Sequence, residues 1–215
     1  FRAVGGNANP GLPMTVLNTI MAKQLNDFKE EVDALIAGGK DKRIAIIEVL
    51  RKNITESKNV RFEGDGYSDE WVKEAEKRGL PNVKDTPEAL DAFITKKSVD
   101  VFGSYNVLSE RELEARNEIL WENYIMKVQI ESRVMGDLAL NHIIPTAVKY
   151  QMKLIDAAKG LKDIALDNTS TVNVIGKITE HIDGVKNGVL DMIEERKRIN
   201  KIEDGREKAI EYCHN

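Results

Sequence analysis

Apolar positions in this chain recur every three or four residues over long stretches, and that spacing predicts helix almost throughout. Val16, Leu17, Ile20, Met21, Leu25, Phe28, Val32, Leu35 and Ile36 keep to it until Gly38-Gly39 ends the run. Pro10 and Pro13 suit the entry, because the first turn of a helix leaves N–H groups unpaired and proline has none to leave. "DKRIAIIEVLRKNITES" predicts a second amphipathic helix closing near Asn59. "VRFEGDGYS" then reads as a loop with at most a short strand, Gly64 and Gly66 giving it positive-φ freedom. Ser68 is expected to cap a short helix, "DEWVKEAEKRG", which Gly79 and Pro81 stop. Another short helix is expected to run through Phe93, with Thr86 as its cap and Pro87 at its first position.

The strongest pattern begins at "LSERELEARNEILWENYIMKVQIESRVMGDLALNHIIPTAVKYQMKLIDAAKGL". Ser109 and Glu112 have the spacing of a capping box. From there to about Leu161 an apolar stripe is interrupted only by Gly136 and Pro145. Proline in a helix interior costs roughly 3 kcal/mol, through one lost hydrogen bond and a clash with the preceding turn. A kink near Pro145 is therefore expected, with the helix resuming at Ala147. If the stripe is core, Leu138 lies in it, and Leu138→Asp is expected to unfold the chain. "ALDNTSTVN" reads as a polar hinge, followed by an amphipathic helix from Val172 to about Asn200 and a terminal helical segment, "DGREKAIEYCHN". The predicted fold is mainly α: long antiparallel helices, one kinked near Pro145, with little or no β-sheet. The opening "FRAVGGNANPG" sets an apolar–basic pair directly before a Gly/Asn/Pro cluster, and Phe1 is expected to be a cut point within a longer chain.

Composition narrows the chemistry. The 215 residues are 41% hydrophobic and 32% charged, with a net charge of −4. An acidic balance with 6% aromatics argues against nucleic acid and anionic membrane as partners. No apolar run reaches membrane-spanning length. The lone Cys213 fits a reducing compartment, and a cytoplasmic location is expected. His142, His181 and His214 show no metal-ligand spacing. "GDG" resembles part of a calcium loop but lacks the other spaced carboxylates, so a turn role is expected. The residues alone single out Arg2, beside a Gly-Gly-Asn turn where a guanidinium can present its fork to a carboxylate or phosphate.

Three stretches carry a resemblance. "FRAVGGNANPGLPMTVLNTIMAKQL" is similar to the glutamine synthetase segment in which an E-x-R pair precedes a small-residue turn, N-P and a long helix. "GDGYSDEWVKEAEKRGLPNVKDTPEALDAF" and "VFGSYNVLSERELEARNEILWENYIMKVQIESRVMGDLALNHIIPTAVKYQ" resemble the large, type III branch of that family. The resemblance implies the C-terminal portion of a ligase that joins ammonia to glutamate at the expense of ATP. Residues 1–107 would be the helical C-terminal end of the catalytic domain, and 108–215 a long-helix elaboration. Arg2 would match the arginine of the E-x-R pair, which holds the phosphate and glutamate end of the site. The resemblance places ATP and Mg or Mn in the parent enzyme, with no cofactor, metal ligand or catalytic residue in this portion. It implies as partners the remainder of the catalytic domain and identical subunits in a large ring. The portion alone is expected to be inactive. The alternative is a non-catalytic helical interaction or scaffold module whose likeness reflects shared helical composition.

Overall fold

The computed structural model describes residues 9–214, and among them the fold is helical with no strand. The chain divides between Asn117 and Glu118 into two compact units.

In the first unit, α1 (Gly11–Ala37) opens with Asn9 Oδ1 accepting from the Gly11 N–H at 2.8 Å. It closes where Gly39 turns to φ 89° and the Lys40 N–H reaches back to the Leu35 carbonyl at 3.1 Å. That left-handed step needs glycine, because a Cβ would crowd the backbone. Asp41 caps α2 (Lys42–Glu56), its carboxylate accepting from the N–H groups of Arg43 and Ile44. The hairpin buries Val32 against Ala45 and Val49, flanked by Phe28, Leu35, Ile36 and Ile46. Only the C-terminal half of α1 is used in this way. Met14, Leu17, Ile20, Met21 and Leu25, which share its helical spacing, are exposed.

Ser68 caps α3 (Asp69–Lys77) as expected, its Oγ accepting from the Trp71 N–H at 3.2 Å. The cap of α4 (Thr86–Leu90) is Asp85, not Thr86, and Pro87 therefore sits at the second helical position. Asp85 Oδ1 accepts from the Glu88 N–H at 3.0 Å, and a charged acceptor satisfies this donor better than a hydroxyl. A 3-10 turn carries the chain to Ile94. α5 (Lys96–Ser104) is a helix the apolar spacing did not predict. Its nine residues bury one large side chain, Phe102, too few for periodicity to register. Asn26 of α1 donates to the Tyr105 hydroxyl at 3.1 Å just beyond it.

The capping box at the head of α6 (Glu110–Leu138) forms in full. Glu112 Oε2 accepts from both the N–H and the hydroxyl of Ser109 at 2.8 Å, and Ser109 Oγ accepts from the Glu112 N–H at 3.3 Å. Leu113 and Asn117 on its first turns are fully buried.

In the second unit the expected kink takes a particular form. A π-helical segment, Ala139–Ile143, joins α6 to α7 (Ile144–Asp163), and the Ile144 N–H reaches the Ala139 carbonyl five residues back. The wide turn lies just ahead of Pro145, whose ring would meet the Asn141 carbonyl in a regular helix. A loop with Ala165 at φ 60° turns the chain into α8 (Thr169–Ile199). α8 packs back along α7, with the Gln151 amide donating to Thr179 Oγ1 at 2.6 Å and the Asn168 amide to the Ala158 carbonyl at 2.9 Å. α6 approaches α8 closely at Gly136, where a Cβ would stand 3.4 Å from Met192 Cε and 3.5 Å from Val189 Cγ1.

Asp204 caps α9 (Gly205–His214). Its Tyr212 hydroxyl donates to Asn200 Oδ1 at 2.9 Å and accepts from the Gln129 amide at 3.1 Å. Leu138 is 47% exposed, which corrects the expectation that it belongs to a buried stripe. The core face of α6 in this unit runs instead through Trp121, Ile125 and Ala139.

Candidate functional site

Arg2, the residue singled out by the sequence, lies outside the described residues. His142, in the π-helical segment, His181 and His214 are exposed, and Cys213 is a half-buried free thiol. "GDG" is a turn: Asp65 Oδ1 accepts from the Tyr67 N–H at 2.9 Å. Gly64 sits at φ 146°, where a Cβ would press to 2.9 Å from the Phe62 ring.

That turn borders a polar cleft of about 470 Å³ in the first unit, lined by Lys58, Asn59, Arg61, Glu63, Glu74 and Arg78. The Phe62 and Trp71 rings stack at 3.7 Å, and the Arg78 guanidinium carbon lies 5.4 Å from the Trp71 ring centre. Arg78 donates through Nε to Glu74 at 2.7 Å and through Nη1 to the Arg61 carbonyl at 3.2 Å. Arg61 donates to the Ile54 carbonyl at 2.6 Å. Arg78's hydrogen bond is the main cause holding the Glu74 carboxyl below its ordinary range. Both guanidinium groups are thus engaged by the protein itself. The cluster clamps the 61–68 loop onto α3. The signal that could have revealed it is the i,i+4 spacing of Glu74 and Arg78, with Trp71 seven residues before the arginine.

The resemblance raises ATP and a divalent metal. Asp27, Asp33, Asp100, Glu194 and Glu195 each face a lysine or arginine three or four residues away on the same helix, at 2.5 to 2.9 Å. Strung along exposed helix faces and met by the chain's own cations, these carboxylates do not fit a divalent ion, which needs several oxygens converging on one point.

A family model described as the glutamine synthetase C-terminal domain matches residues 45–162. A glutamine synthetase of Bacteroides fragilis (strain YCH46) is 44% identical over 218 residues, taking in 99% of this chain and 30% of that protein. The type-3 glutamine synthetase of Dictyostelium discoideum is 34% identical over 161 residues, 75% of this chain and 22% of that protein. A glutamine synthetase of Butyrivibrio fibrisolvens is 33% identical over 159 residues, 72% and 22% respectively. The chain therefore spans 22–30% of the length of these relatives. A likeness through helical composition alone would not extend over 99% of the chain at 44% identity, so the scaffold alternative falls. With the family model covering more than half of its residues, this chain belongs to the glutamine synthetase C-terminal domain family.

Proposed function

We propose that this chain is the C-terminal helical part of an ATP-dependent glutamate–ammonia ligase. In that reading it supplies framework, subunit contacts and one active-site arginine, and it is inactive alone. The observation that carries the reading is the family match combined with coverage: relatives named glutamine synthetase match over only 22–30% of their length. Residues 1–107 are read as the end of the catalytic domain and 108–215 as an elaboration on it. ATP and Mg or Mn are assigned to the remainder of the enzyme, where they supply and neutralise the transferred phosphoryl group. Arg2 would hold the phosphate and glutamate end through its planar fork. The parent is read as cytoplasmic and as a ring of identical subunits; no helix among the described residues is long and apolar enough to cross a membrane.

The test measures phosphate release from glutamate, ATP and ammonia by the full-length protein and by this chain alone. The full-length protein is expected to turn over and the chain to be silent. Arg2→Lys in the full-length protein is expected to lower kcat/KM about 10²-fold, since a point charge does not replace a two-pronged hydrogen bond. An active isolated chain, or an unaffected Arg2→Lys enzyme, overturns the reading.

A further inference from the structure

We draw no further inference here: the strongest candidate, the cleft of about 250 Å³ between α6 and α8 that Arg133 and Arg196 line, carries nothing because nothing in the structure shows what covers it.

Discussion

Single residues set the helix boundaries, and most did so legibly. Ser68, Ser109 and Glu112 act as caps because a short polar side chain just ahead of an apolar repeat has unpaired N–H groups within reach. Thr86 and Asp85 show where that logic runs short. Both are capping residues, adjacent in sequence, and it is Asp85 that stands outside the first turn, its charged oxygen meeting the Glu88 N–H. The Ser109–Glu112 box makes a pH prediction. Its backbone N–H and hydroxyl bonds hold the Glu112 carboxyl below its ordinary 4.5. A carboxyl depressed in the folded state contributes stability above its unfolded value, and that contribution is lost as pH falls through the folded value. The melting temperature of the wild type is therefore expected to exceed that of Glu112→Ala at pH 6, with the gap closing as pH drops from 5 toward 3. A gap that stays constant over that range would mean that the carboxylate charge plays no part in the cap.

At the scale of elements, the break before Pro145 has a packing reason beyond the proline ring. The more buried positions on α6 run at three and four spacing through Trp121, Ile125, Val128, Ser132, Gly136 and Ala139. On α7 they continue through Ile144, Ala147, Gln151, Leu154 and Ala158. The step from Ala139 to Ile144 is five, so the π-helical turn holds one extra residue and re-phases the stripe. Deleting Asn141 together with Pro145→Ala is expected to give one continuous helix with its stripe still in phase and a melting temperature within a few degrees of wild type. Inserting an alanine after Asn141 turns the face of α7 by about 100° relative to α6. That variant is expected to lose the cooperative melt of the 118–214 segment, followed by circular dichroism. Equal melting of both variants would show that phase does not matter there. The proline was readable in the sequence, but the phase shift was not, because Ile143 and Ile144 are both apolar and only packing tells them apart.

At the scale of the whole molecule, exposed apolar side chains among the described residues gather on the first half of α1, the outer side of α2 and the outer face of α6. Leu138→Asp consequently changes meaning. A half-exposed leucine loses about 1 kcal/mol of burial, or roughly 2–4 °C in a chain of this size. The variant is expected to melt within that margin of wild type in a thermal scan, and unfolding at ambient temperature would return Leu138 to the core. The helical class, most helix ends, the capping box, the break at Pro145 and the family resemblance were written in local spacing and residue type, because helices are stabilised by contacts three and four residues apart. The tertiary structure alone decided which side of a two-faced helix is buried, where the extra residue of the π turn goes, and that Arg61 and Arg78 are occupied by the protein's own carbonyl and carboxylate groups. Burial depends on what lies across from a residue in space, and a repeat of apolar positions reads the same whether that neighbour is another helix of the chain, a second copy, or water.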